Sequence, residues 1–162
     1  MKAILPCFIL LVAITACKSY LSKSDSPATS ETSTYLKQDH STEPEHIQVQ
    51  HILIGYDGSL PGKKVARSME EAKTLAEQLF TKAKESGSDF EALVKENSDD
   101  QAPGIYAMAN LGVAPVNDEF PREQMVPAFG DVGFQLKVGD VGLAPYDKNK
   151  SPYGFHIIKR LK

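Results

Sequence analysis

The chain has 162 residues, a length that fits about one domain. Its 41% hydrophobic and 24% charged residues, with six Tyr and seven Phe, are globular proportions and exclude a collagen, a coiled-coil rod and a chain disordered throughout. A net charge of −3 without any long basic run excludes a nucleic-acid footprint, and two cysteines are too few for a disulfide-stapled scaffold or a Cys-rich zinc module.

Lys2 gives the chain a positive start, and Ala3–Ala16 (AILPCFILLVAITA) follow uncharged and mostly apolar. A bilayer span takes roughly 20 apolar residues, so this run is too short to cross. It has the charge, core length and small-residue end of a secretory signal peptide, residues 1–16. The end, Ile14-Thr15-Ala16-Cys17, resembles the lipobox of bacterial lipoproteins. That resemblance implies cleavage before Cys17, a thioether-linked lipid on its thiol and acylation of the new amine. Several acyl chains anchor stably where one is marginal. Lys18 stands in place of the Asp associated with inner-membrane retention in some bacteria, which favours the outer membrane. Plain secretion with a chance Cys17 is the alternative.

From Cys17 to Glu45, 11 of 29 residues are Ser or Thr, and apolar residues are sparse. Such a stretch buries too little to offset its ordering entropy and reads as a tether. The domain then spans residues 46–162. His46–Ile54 (HIQVQHILI) alternates and is β-branched, a strand. Gly55–Val65 holds Gly55, Gly58, Pro61 and Gly62, a loop. Ser68-x-x-Glu71 is a capping box, and Met69, Ala72, Ala76, Leu79 and Ala83 recur behind it at helical spacing until Gly87. Ser88-x-x-Glu91 reads as a second box, opening a short helix that buries Phe90, Leu93 and Val94 and ends at Asn97–Asp100. Gly104–Val113 reads as a strand with a Gly break, Pro121–Phe129 as a short helix, and Asp131–Leu136 as another turn or two. Val141–Pro145 and Phe155–Leu161 are strands joined by a loop holding Lys148, Asn149, Ser151 and Pro152. Strands and helices do not alternate strictly, so the class is α+β and not a doubly wound sheet.

Five blocks in this order resemble the parvulin-type (PpiC-type) peptidyl-prolyl cis/trans isomerases. They are Gln50-His51-Ile52-Leu53-Ile54; Asp89-Phe90-Glu91-Ala92-Leu93 with Asn97-Ser98-Asp99-Asp100; Asn110-Leu111-Gly112; Gln124-Met125-Val126-Pro127-Ala128-Phe129 with Phe134; and Gly154-Phe155-His156-Ile157-Ile158. The resemblance implies a four-stranded antiparallel sheet surrounded by helices, in the order β-ααα-β-α-ββ. It also implies that His51 and His156 lie on adjacent central strands and that Asp100 takes the place of the family's usual Cys or Asp. The proline pocket falls on Leu111, Met125 and Phe129, and Tyr153 occupies a position where the family varies. Two departures stand out: Met108-Ala109-Asn110-Leu111-Gly112 replaces the usual Gly-Gly-Asp-Leu-Gly, and Ala114–Pro121 is an apparent insertion.

Rotating an X-Pro amide breaks no bond but crosses a barrier of ~18–20 kcal/mol, so the expected reaction uses no nucleophile, metal or cofactor. Apolar side chains grip the proline ring, and polar groups opposite favour the twisted amide. Bland readings compete: a strand His can be a satisfied core residue, and Met125 and Phe129, i and i+4 on the expected helix, can be plain core. Lys63, Lys64 and Arg67 either select an anionic residue before proline or form a solvated loop face. His40, His46, His51 and His156 lack zinc spacing and a Cys partner, so no metal site is expected. The resemblance implies a monomeric, lipid-anchored isomerase of the bacterial envelope, outside the cytoplasm, acting on proline-containing unfolded or nascent envelope proteins. A holdase that uses the same groove without turnover is the alternative.

Overall fold

The structure, a computed structural model, describes residues 40–162. The expected signal peptide, Cys17 and most of the tether lie outside the described residues.

Strand β1 (His46–Ile54) is central. It pairs antiparallel with β2 (Ile105–Ala109) on one side and with β5 (Phe155–Arg160) on the other, and β5 carries β4 (Val141–Ala144). A two-residue strand, β3 (Phe120–Pro121), adds parallel to the far edge of β2, giving the order β3-β2-β1-β5-β4. The α+β parvulin-like arrangement therefore holds, with a fifth strand beyond the four expected. That strand forms where the chain returns from Ala114–Pro121 and meets the unpaired edge of β2, Met108 opposite Phe120.

Between β1 and β2 run two helices where three were expected, α1 (Met69–Ala83) and α2 (Phe90–Asn97). The stretch before Ser68 stays irregular because Gly58 and Gly62 sit at positive φ around Pro61. Ser68 caps α1 as its sequence predicts: its Oγ accepts from Glu71 N–H, and Glu71 Oε2 accepts from Ser68 N–H at 2.7 Å. Such a cap is worth about 0.5–2 kcal/mol. The second box is displaced by one residue. Ser88 N–H is spent on Glu85 C=O in the turn after α1, and Asp89 becomes the N-cap, accepting from Ala92 N–H at 3.0 Å. A carboxylate there also suits the positive end of the helix.

The expected helix over Pro121–Phe129 is replaced by a 3-10 turn (Arg122–Gln124) and then α3 (Pro127–Gln135). Proline disfavours helical geometry in the residue before it, so Val126 stays non-helical at φ −56°, ψ 122°, and Pro127 opens the helix. From there α3 runs without a break through Gly130 and Gly133, absorbing the separate turn expected at Asp131. Packing overrides the low helix propensity of glycine: Gly133 faces Ile47 and Met108, and Gly130 faces Arg122.

Helices α1 and α2 cover one face of the sheet, burying Ile52, Ile54, Phe155 and Ile157 against Ala72, Ala76, Leu79, Phe90 and Leu93. On the other face Phe129 and Phe134 of α3 pack against Ile47, Val49, Met108 and Ile158. Covering on both faces explains why the alternation of β1 gives way at its end to the unbroken apolar run Ile52-Leu53-Ile54. The folded part also begins before residue 46. Glu43, expected in the tether, has a side chain only 8% exposed and is bonded to Arg122 and Asn110.

Candidate active site

The pairing of β1 with β5 sets Leu53 opposite His156 and His51 opposite Ile158. Side chains alternate along a strand, so His51 and His156 emerge as diagonal neighbours on the α3 face. Both are buried, their Nδ1 atoms 3.2 Å apart and their rings within 14° of parallel. On its other side His51 Nε2 lies 2.9 Å from Asp100 Oδ2, and the same oxygen accepts from Tyr106 O–H at 2.7 Å. The partners assign the protons. Opposite a carboxylate, His51 Nε2 carries hydrogen. In the neutral pair His51 Nδ1 then accepts from His156 Nδ1–H, which leaves His156 Nε2 a bare, buried lone pair with no hydrogen-bond partner among the described residues.

The electrostatics follow from this chain. The hydrogen bond from His51, supported by Tyr106, outweighs burial and holds the Asp100 carboxyl well below its ordinary range. Burial, with Asp100 alongside, raises the Tyr106 phenol to about 12. Burial, reinforced by His51, depresses His156 from 6.5 to about 3. At neutral pH the site thus holds a carboxylate fixed by two donors beside an uncharged His156.

Two glycines make the placement possible. Gly104 is at φ +64°, and a Cβ there would lie 2.7 Å from the His51 carbonyl oxygen; His51 N–H in turn donates to Gly104 C=O at 2.9 Å. Gly154, at φ +133°, turns the chain into β5 two residues before His156, where a Cβ would come within 2.2 Å of Ile54 O.

Beside the chain of hydrogen bonds is an apolar cavity of about 180 Å³, walled by Leu53, Met125, Val126, Phe129 and Tyr153. Apolar cavities of about 150 Å³ take up a benzene ring, so a pyrrolidine ring fits. Phe129 meets His51 edge-on at 5.0 Å between centroids and Tyr106 at 5.8 Å, joining the apolar wall to the polar one. A larger open depression of about 360 Å³ at His46, Glu119 and Lys162 contains none of these groups.

Of the residues singled out from sequence, His51, Asp100, His156, Met125, Phe129 and Tyr153 come together. Met125 does so from an extended residue ahead of α3, not from the helix. Leu111 does not join them: it is 46% exposed, in a smaller depression that shares only Met125 with the cavity. The cause is Asn110, whose side chain takes the buried place, bonded to Arg122, Glu43 and the Leu111 N–H, and turns Leu111 outward. Tyr106 was missed. Strand alternation with buried Met108 puts it on the site face, a signal that marks the residue only once Asp100 is known to lie beside it. The loop cations are largely committed elsewhere: Arg67 pairs with Asp99 Oδ2 and Gly55 C=O, and Lys63 bonds Asp99 C=O.

Residues 34–162 match the family described as the PPIC-type PPIASE domain. The chain is 34% identical over 127 residues to the peptidyl-prolyl cis-trans isomerase ESS1 of Saccharomyces cerevisiae, covering 73% of this chain and 66% of that protein. It is 32% identical over 121 residues to the foldase protein PrsA of Caldanaerobacter subterraneus subsp. tengcongensis, covering 75% of this chain and 30% of that one. The chain thus spans less than two thirds of the length of either relative. Among solved structures, the peptidyl-prolyl isomerase ESS1 from Candida albicans shares the fold, with a TM-score of 0.52 and 19% identity over 73% of this chain and 63% of that one.

Proposed function

The chain belongs to the PpiC-type peptidyl-prolyl isomerase domain family, and on that premise we propose that it catalyses cis/trans isomerisation of X-Pro peptide bonds through the His51–Asp100–Tyr106 site. One observation carries the reading: an apolar cavity sized for a proline ring opens beside a carboxylate that two donors hold in place.

Met125 and Phe129 grip the ring and exclude water from one side of the amide. In the planar amide, resonance puts negative charge on the carbonyl oxygen; twisting returns the electron pair to nitrogen and lowers that charge. A fixed carboxylate facing the carbonyl is therefore less repulsive in the twisted state than in either planar one, a differential interaction that lowers the barrier. Each tenfold in rate needs about 1.4 kcal/mol of such difference. His51 and Tyr106 hold Asp100 ionised and oriented. His156 orients His51. No bond to substrate forms.

The test is turnover of X-Pro peptides. The unaltered chain is expected to accelerate isomerisation, and Phe129→Ala to lower turnover at least tenfold. Because Phe129 is core and such truncations cost about 3–5 kcal/mol, each variant's fold is verified by denaturation, with Met125→Ala as the milder second variant. Suppression of aggregation with no turnover by the unaltered chain would replace this reading with a holdase.

The setting we propose is the bacterial envelope: a lipid on Cys17, a domain outside the cytoplasm, and proline-containing unfolded or nascent envelope proteins as clients. The sequence Ile14-Thr15-Ala16-Cys17 and the similarity to a foldase support it.

A further inference from the structure

Arg122 lies between β3 and α3, is 4% exposed and lines no part of the cavity. Its guanidinium reaches oxygens on three separate segments. Nη1 donates to Glu43 Oε2, ahead of β1, and to Asn110 Oδ1, just past β2, at 2.8 Å; Nη2 donates to Asp131 Oδ1, on α3, at 2.9 Å. The guanidinium carbon stands 4.6 Å from the centre of the Phe134 ring. The Glu43 side chain is 8% exposed beside it: burial opposes its charge, but the His40 imidazole 3.0 Å away and hydrogen bonds from Arg122 and Asn110 prevail and hold its carboxyl below the ordinary range. Helix α3 is also shaped to admit the arginine, for a Cβ on Gly130 would come within 3.0 Å of Arg122 Cγ and 3.3 Å of Nε.

A buried ion pair is weak evidence for stability, since desolvation offsets its attraction. What this one supplies is geometry. Met125 and Phe129 lie three and seven residues beyond Arg122, and Asp131 lies two beyond Phe129. Met125 N–H donates to Arg122 C=O at 3.0 Å. The segment 122–131, which carries the apolar wall, is therefore pinned at both ends by one guanidinium. Glu43 closes the pin from a part of the chain that never touches the cavity.

The geometry points to Arg122 as a positioning residue for the wall that grips proline, locked by Glu43 acting as a strap. This rests on the isomerase reading above, and it moves His40–Glu45 from the tether into the catalytic unit. A loosened wall holds the ring less well in planar and twisted states alike, so the loss falls on KM and spares kcat.

The test uses the full chain with Glu43→Gln and, separately, Arg122→Lys, which keeps charge but loses the fork that reaches three partners. Leu79→Ala, buried on the opposite sheet face, serves as a control of general destabilisation. Two readouts are taken: hydrogen exchange of the Met125, Phe129 and Gly130 amides relative to those of β1 and β5, and steady-state turnover of an X-Pro peptide. Glu43→Gln and Arg122→Lys are expected to speed exchange of the wall amides at least tenfold over the strand amides. They are also expected to raise KM at least fivefold, with kcat within twofold. Leu79→Ala lowers Tm without either effect. Should Arg122→Lys fail to fold, Glu43→Gln decides alone. A fall in Tm with wall exchange and KM unchanged overturns the proposal, as does faster wall exchange with KM unchanged. If the unaltered chain turns over no X-Pro peptide, the isomerase reading fails on its own; exchange then decides the pin, selective loss of wall protection supporting it and uniform change overturning it.

Discussion

Lowering the pH from 7 to 5 should weaken this domain through one buried imidazole. His156 is 4% exposed, and burial first, then His51, depresses its folded-state pKa from 6.5 to about 3. In the unfolded chain it titrates near ~6.5. Below that pH the unfolded state binds a proton that the folded state refuses, and stability changes with pH in proportion to that difference. The sign is therefore a loss on acidification, beginning near pH 6.5 and ending near pH 3. At about 1.4 kcal/mol per pH step, His156 removes on the order of 2 kcal/mol by pH 5, a sizeable part of the ~5–15 kcal/mol that holds a typical domain together. Asp100 does not confound this window. Its folded-state pKa is lowered, so its contribution is present above the unfolded value near ~3.9 and is lost only below it. Urea denaturation at pH 7 and pH 5 measures the effect, with His156→Gln as the reference that cannot titrate but still offers a donor to His51. His40, His46 and His51 are common to both proteins. The expected result is that the unaltered chain loses about 2 kcal/mol more than the variant over the interval. Equal losses in the two proteins would show that His156 is protonated in the folded state at pH 5, and the assignment of its Nε2 as a bare buried lone pair would fall.

Three further outcomes follow from the same structure. Leu111→Ala should leave turnover within twofold, because Leu111 is exposed outside the cavity; a tenfold loss would put it against the substrate. Glu-Pro and Ala-Pro peptides should turn over at rates within about threefold of each other, and insensitive to salt, since Arg67 and Lys63 are bonded to Asp99. A large Glu-Pro preference that salt abolishes would show the loop cations free to receive an anion. Cys17→Ala should leave an uncleaved precursor or release the protein from membranes, as fractionation reads it; processing and membrane binding like the unaltered chain would refute the lipid anchor.

Much of this domain is legible in its residues because local rules settle it. The alternation of His46–Ile54, the capping box at Ser68 and the glycines around Pro61 each depend on neighbours a few positions away, and each element forms where they place it. The motif order likewise brought His51, Asp100, His156, Met125 and Phe129 to one site from segments up to 105 positions apart. What local rules could not settle depended on contacts between distant segments. Gly130 reads as the gap between a helix ending at Phe129 and a turn beginning at Asp131 until Arg122 packs into the space that a side chain would fill. Leu111 reads as pocket lining until Asn110 turns inward to meet Glu43 and Arg122. Tyr106 reads as one more strand aromatic until Asp100 arrives beside its hydroxyl. Glu43 reads as part of a polar tether until a buried guanidinium accounts for its burial. In each case the residue's own propensity is small beside the requirement that buried polar groups be paired and buried space be filled, and only the tertiary structure supplies the partner.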